Sequence, residues 1–189
     1  MPAEGRDSSQ AGPSRGSFKD GDLIWEADLH GSEAQHSNNI HSAFKSVLAV
    51  ATGVAVARGK LSLDDRVSDI LPEYFVDIDD PRKAEITVEM LLEMTAGFQW
   101  VEDESEAAIE VQPDWVEAIL ALPLVADPGD WFNDNTGHTH LLSAVLQRAT
   151  GTTSCDYVHE EVFRPLEIAA EHWGRDPQGV SGKSQEEVC

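Results

Sequence analysis

The sequence predicts an α+β fold in which helices predominate, and three features support that prediction. Residues 22–31 have the mixed apolar and polar pattern of a β-strand and end at a glycine. Residues 43–58 carry almost no polar side chain, so a helix there would be apolar on nearly all sides and buried. The apolar residues between 141 and 149 fall at helical spacing before Gly151.

Capping residues predict where further helices begin. Thr87 is placed to cap one helix. Asp114 and Glu117 resemble a capping box at the start of a second helix, which runs to about Leu122. The acid-rich segment 98–113 lies between the two helices and is expected to be a surface loop.

Length and composition favour one folded unit with loose ends. A chain of 189 residues is long enough for one substantial core and short for two. Residues 1–21 are expected to be a disordered leader and residues 176–189 a loose tail, because small and polar residues dominate both. The folded domain is expected to span residues 22–175.

The strong negative charge excludes two classes of partner. The chain has 13 Lys and Arg residues against 35 Asp and Glu residues, which gives a net charge of -22. This charge repels nucleic-acid phosphates and anionic lipid heads, so neither is expected as a partner. No membrane span is expected either, because the longest apolar run, 47–57, is shorter than the roughly 20 residues that a span needs.

The N-terminus and the cysteines together predict a cytoplasmic location. No stretch near the N-terminus has the apolar length of a secretory signal. Only two cysteines occur, Cys155 and Cys189, so a disulfide framework is not expected and a reducing compartment fits better.

Ser42 and Lys45 are the first candidates for chemistry. Both lie at the start of the predicted buried helix, where a residue and its third successor share a face. A hydroxyl nucleophile would then lie beside an amine that can act as a base. The pattern Ser-x-x-Lys is known from penicillin-binding proteins and serine β-lactamases, where the serine is acylated. By itself it is short enough to arise by chance.

Several further stretches carry a family resemblance in the order expected of that family. They are His-Ser-Ala-Phe-Lys-Ser at 41–46, Lys-Leu-Ser-Leu-Asp-Asp-Arg-Val at 60–67, Leu-Leu-Glu-Met-Thr-Ala-Gly-Phe at 91–98, Asn-Thr-Gly-His-Thr-His-Leu-Leu at 135–142 and Val-Phe-Arg-Pro-Leu at 162–166. The chain resembles the N-terminal portion of the serine β-lactamase-like family, which includes penicillin-binding proteins, class C β-lactamases and related esterases. The resemblance covers about residues 22–175.

The resemblance implies both a fold and a mechanism. The fold would be a mostly helical region beside an antiparallel sheet, with the helix of the nucleophile between them. Ser42 would attack a carbonyl carbon and form an acyl-enzyme, and Lys45 would accept the serine proton. The backbone N–H of Ser42 would be one oxyanion-hole donor. The substrate would be a small-molecule ester, amide or β-lactam, with no cofactor and no metal.

The second motif of the family departs from its usual form in this chain. Where the family places a tyrosine followed by a polar pair, the sequence has Asp134, Asn135 and Thr136. A carboxylate beside Lys45 would favour the charged ammonium, whereas a base must be neutral. Asp134 is itself a weak base near neutral pH, and Asn135 would still be able to orient a substrate carbonyl.

The third motif, a Lys-Thr-Gly-like or His-x-Gly strand, has no clear counterpart. The residues at 172–174 match His-x-Gly in letters but lack the flanking strand pattern. The chain is therefore expected to be a truncated or diverged member of the family with an incomplete sheet. An open sheet edge would favour self-association.

Simpler roles remain open for the same residues. Ser42 and Asp134 would each be able to cap a helix, and Lys45 would be able to pair with an acid or to extend toward solvent. His138 and His140 suggest a metal site, but residues two apart on a helix point to different faces and no third ligand is suitably spaced. Packed or solvated histidines are favoured.

Two functions of different class follow from the sequence. The first is a serine hydrolase that acts on an ester or amide through an acyl-enzyme. The alternative is a catalytically inactive relative that serves as a binding or interaction module, because the tyrosine and the third motif are missing.

Overall fold

The computed structural model describes residues 14–28, 40, 42–168 and 174–182. The chain forms two compact units, Met1–Ile40 and His41–Cys189. Among the described residues, no helix has both the length and the apolar character that a membrane crossing requires.

The first unit contains an antiparallel hairpin. Its strands are β1 (Ser14–Lys19) and β2 (Asp22–Asp28), and the pairing register shifts between Ser17 and Phe18. The strand predicted over 22–31 is confirmed for the residues of β2. However, β1 lies inside the predicted leader 1–21, so regular structure begins earlier than the predicted domain boundary.

The second unit is mostly helical. Its α-helices are α1 (Ala43–Ala57), α2 (Val67–Ile70), α3 (Val88–Leu92), α4 (Glu102–Glu110), α5 (Trp115–Ala121), α6 (Thr136–Thr150) and α7 (Ser154–Val158). Short 3₁₀ helices occupy Pro72–Phe75, Pro81–Glu85 and Arg164–Leu166, and a π-helical turn occupies His159–Phe163. Two short antiparallel strands, β3 (Gly174–Arg175) and β4 (Ser181–Gly182), follow. The predicted α+β class with a mostly helical region is confirmed.

Helix α6 is the centre of the second unit. It packs against α1, α3, α5, α7 and β4. Its residues 137–146 are all buried, and Gly151 ends the helix in a left-handed conformation with a φ of 76°. The helix predicted up to Gly151 is confirmed, because the close packing of its neighbours buries this apolar stretch.

Helix α1 is less buried than its composition predicts. Leu48, Ala51, Thr52 and Ala55 are buried, but Val50 is 54% exposed. The expectation that nearly all sides would be covered is wrong for the described residues. The covered face of α1 packs against α6 and α7, and that contact decides which apolar residues are buried.

Helix α4 occupies most of the segment that was predicted to be a surface loop. The loop prediction for 98–113 is wrong because it took acidity as a sign of irregular structure. Glu102, Asp103 and Glu104 lie in the first turn of α4, where negative side chains interact favourably with the helix dipole. Ile109 on the same helix is buried and anchors it to the core.

The predicted caps of two other helices are confirmed. Thr87 accepts a hydrogen bond from the backbone N–H of Met90 at the start of α3. Asp114 accepts one from the backbone N–H of Glu117 at the start of α5. Each cap satisfies a backbone donor that the first turn of a helix leaves without an intrahelical partner.

The segment predicted to be a loose C-terminal tail contributes to the core. Asp176, Val180 and Ser181 are buried, and the hydroxyl of Ser143 on α6 donates to the backbone carbonyl of Ser181. The expectation of no core beyond residue 176 is therefore wrong for 176–182, because these residues fold back onto α6.

The expectation about cysteines is also wrong. Cys155 is buried and disulfide-bonded, and Cys189 lies outside the described residues. The cysteines therefore give no support for a reducing compartment, and the cytoplasmic location stays a prediction.

Candidate active site

Ser42 precedes the first residue of α1. Its backbone is helical, with φ -64° and ψ -11°, and its side chain makes no capping hydrogen bond within the described part of the chain. The alternative in which the hydroxyl serves as a helix cap is therefore not what the structure has. Ser42 is exposed and lies at the positive end of a 15-residue helix.

Lys45 lies between two carboxylates. Its Nζ is 2.7 Å from Oδ1 of Asp134 and 3.6 Å from Oε1 of Glu102. The side chain of Lys45 is only 16% exposed, whereas that of Asp134 is 67% exposed. The structure thus brings the predicted residues Lys45 and Asp134 into direct contact, and it adds a second acid that the sequence analysis did not identify.

Glu102 is held firmly at the start of α4. It accepts hydrogen bonds from the Thr136 backbone N–H at 3.1 Å, from the Thr136 hydroxyl and from the indole N–H of Trp100. Burial would raise the pKa of Glu102, but the hydrogen bonds from Thr136 and Trp100, together with the charge of Lys45, lower it overall. Glu102 therefore stays ionised and links α1, α4 and the start of α6.

Asn135, not Asp134, caps helix α6. Its Oδ1 accepts from the backbone N–H of His138 at 3.1 Å, and its Nδ2 lies 3.3 Å from Nε2 of His138. The side chain of Asn135 is fully buried. Its amide is committed to the start of α6 in this arrangement, so a role in orienting a substrate stays a prediction.

The two histidines considered for a metal site have separate partners. His138 is buried beside Phe98, with ring centroids 5.8 Å apart. Burial, with a smaller contribution from Lys45, lowers the pKa of His138 to about 4. His140 instead lies 3.0 Å from Oδ2 of the buried Asp176. Within the described ranges, no three His, Cys, Asp or Glu side chains are grouped so that they could hold a metal ion.

An open pocket lies between the first turns of α1 and α6. Ser42 and Lys45 contribute to it from α1, and Thr136, Gly137 and His140 contribute from α6. A Cβ atom at Gly137 would lie 2.8 Å from Cζ3 of Trp100. Glycine at this position therefore lets the indole of Trp100 pack directly on the first turn of α6.

This arrangement suits nucleophilic attack on a carbonyl group. The Ser42 hydroxyl is not used in helix capping, and the amine of Lys45 lines the same pocket. The start of α1 supplies backbone N–H groups that can stabilise a developing oxyanion. The sequence predicted Ser42, Lys45 and Asp134 as site residues, and a catalytic role for them stays a prediction. Glu102 was missed, although a cluster of acids suited to a helix N-terminus was the available signal.

Comparison with known proteins gives a consistent match. A family model described as Beta-lactamase matches residues 18–185. A lovastatin esterase from Penicillium rubens is 31% identical over 148 residues, which cover 67% of this chain and 37% of that protein.

Solved structures share the fold. A D-stereospecific amidohydrolase from Streptomyces sp. matches with a TM-score of 0.67 at 21% identity. The matched region covers 89% of this chain and 53% of the amidohydrolase chain. An octameric penicillin-binding protein homologue from Pyrococcus abyssi matches with a TM-score of 0.64 at 24% identity. The matched region covers 86% of this chain and 44% of the homologue's chain. The chain thus spans about a third to a half of the length of these proteins.

Proposed function

Because the chain belongs to the beta-lactamase family, we propose that it is a serine hydrolase which cleaves an ester or amide through an acyl-enzyme on Ser42. One observation carries the proposal. Ser42 is exposed at the start of α1 and its hydroxyl makes no capping bond within the described residues, while Lys45 lines the same pocket. Esterase and amidohydrolase relatives are consistent with this chemistry.

The proposed reaction has two steps. In the first, Oγ of Ser42 attacks the carbonyl carbon and its proton moves to the base, and the leaving alcohol or amine takes a proton as its bond to carbon breaks. In the second, water attacks the acyl-enzyme and releases a carboxylic acid together with the free serine. The backbone N–H of Ser42 would stabilise the oxyanion formed in each step.

Lys45 is the proposed base, and its two acidic neighbours regulate it. Only the neutral amine can take the proton of Ser42, whereas the carboxylates of Asp134 and Glu102 stabilise the charged ammonium. Asp134 is the more exposed of the two acids and makes the shorter contact. In the proposed mechanism, movement of Asp134 away from Lys45 removes one of the two negative charges that hold the amine in its charged form.

The alternative of a catalytically inactive binding module gains no support from the relatives. A lovastatin esterase and an amidohydrolase are among the proteins that the chain resembles, and Ser42 is exposed as a nucleophile must be. Action on an ester or amide is therefore the proposed function, and a β-lactam is one kind of cyclic amide within that class.

Acylation of Ser42 tests the proposal directly. The full chain would be incubated with a nitrophenyl ester and, separately, with a fluorescent penicillin, followed by intact-mass and peptide analysis. We expect an acyl adduct on Ser42 with the ester and none in the Ser42→Ala variant. Absence of an adduct in the wild-type chain, or equal nitrophenol release by the Ser42→Ala variant, would overturn the proposal.

A further inference from the structure

The pocket beside Ser42 has an apolar wall. It is built by Phe44, Trp100, Ile109, Trp115 and Ile119. Ile109, Trp115 and Ile119 are buried in the same core that holds the helices together, so the wall is fixed before any ligand arrives. A preformed apolar wall binds an apolar group because the group leaves water without the protein having to reorganise.

The charged groups around the pocket are mostly acidic. Glu106 and Glu110 line it from α4, where residues four apart share a face. Lys45 also lines the pocket, but its ammonium is already held by Asp134 at 2.7 Å and lies 3.6 Å from Glu102. The described pocket lining thus holds one lysine and two glutamates, and two further carboxylates contact the ammonium of that lysine.

We infer that this pocket selects substrates with an uncharged apolar acyl group and rejects substrates that carry a carboxylate. The inference rests on the proposed function, since it names the substrate class of the same site. The apolar wall receives the acyl group, while each nearby carboxylate repels an anion by about fivefold in affinity at contact distance in water. Neutral esters and amides are thereby favoured over penicillins, whose ring system carries a carboxylate.

A matched pair of ligands separates charge from shape. Phenylacetamide and phenylacetate have nearly the same shape, and only the second is an anion at neutral pH. Calorimetric titration of each into the full chain at low salt measures binding without any need for turnover. We expect phenylacetamide to bind at least about tenfold more tightly, and the difference to shrink as salt screens the carboxylates.

A double variant tests whether Glu106 and Glu110 cause the preference for the uncharged ligand. In the Glu106→Gln and Glu110→Gln double variant, phenylacetate should gain about tenfold in affinity while phenylacetamide stays unchanged. Glu104 lies on the same helix, is exposed and is outside the pocket lining, so Glu104→Gln is the matched control and should leave both affinities unchanged.

A third variant tests the apolar wall. Phe44 is only partly buried, so Phe44→Ala is expected to fold and to weaken phenylacetamide binding by about tenfold. Thermal unfolding of each variant confirms that it is folded before titration. Equal or tighter binding of phenylacetate by the wild-type chain, or no heat from either ligand, would overturn the inference.

The outcome is separable from that of the acylation experiment. The Ser42→Ala variant cannot be acylated, yet it should show the same preference for the amide. A preference without any adduct on Ser42 would reject the hydrolase function and keep the selectivity of the pocket. An adduct on Ser42 without a preference would reject the selectivity alone.

Discussion

The two 15-residue helices α1 and α6 begin in opposite ways. At the start of α6, the buried side chain of Asn135 accepts from the backbone N–H of His138 and also lies against its ring. At the start of α1, Ser42 is exposed and its hydroxyl makes no capping bond in the described structure. The N-terminus of α6 therefore has a side-chain cap, whereas that of α1 has none in the described structure.

This difference shows two uses of a helix N-terminus, one that stabilises the fold and one that can bind a ligand. A capped and buried start satisfies backbone donors and fixes the helix in the core. A start whose side chain makes no cap can present its hydroxyl to a ligand at the positive end of the helix, at some cost in stability. We therefore expect substitutions at α1 to change activity more than stability, and substitutions at α6 to do the reverse.

The largest expected effect is the loss of acylation in Ser42→Ala. The rate of nitrophenol release should fall by at least about 10³-fold, while the free energy of unfolding should change by no more than about 0.5 kcal/mol because no cap is lost. Stopped-flow kinetics and urea unfolding measure the two quantities. A loss of stability above about 1 kcal/mol would mean that Ser42 caps α1 after all.

The next largest effect is acid destabilisation through His138. Its pKa in the folded chain is about 4, against an ordinary value of 6.5, so the unfolded chain takes up a proton first as the pH falls. The contribution of His138 is therefore complete above pH 6.5 and is lost between pH 6.5 and about pH 4. The loss should amount to about 3 kcal/mol in urea unfolding.

The variant His138→Gln provides the control for this pH dependence. It removes the titrating group, so its stability should fall less steeply than that of the wild-type chain over the same range of pH. If the two chains lose stability in parallel, other groups account for the acid sensitivity.

Local sequence patterns were sufficient to place Ser42 and Lys45 at the start of α1. They were insufficient to predict the acid that α4 brings to the same place. The spacing of Ser42 and Lys45 on α1 follows from helix geometry alone, as does the apolar pattern of α6. Glu102 was missed because its role depends on Thr136, which is 34 residues away in the sequence. Contacts between distant segments are formed by the packed core, and residue patterns within one segment carry no record of them.

A smaller effect is expected from loss of the cap in Asn135→Ala. The change removes the acceptor for the backbone N–H of His138 in a buried site, so the free energy of unfolding should fall by about 2 kcal/mol. Thr87→Ala is the matched control, because it removes the cap of α3 at a more exposed position and should cost about 1 kcal/mol. Equal losses in urea unfolding would show that burial adds nothing to the cap of α6.

The smallest expected effect is that of Asp134→Asn, and it tests how the uncapped start of α1 is regulated. Asp134 is 67% exposed, so loss of its ion pair with Lys45 should change the free energy of unfolding by less than about 1 kcal/mol. The acylation rate near neutral pH should rise by about fivefold, because one of the two carboxylates that stabilise the ammonium is gone. Asp130→Asn, at an exposed acid of the same segment, should leave the rate unchanged. A slower rate in Asp134→Asn would instead identify the carboxylate of Asp134 as the group that takes the proton from Ser42.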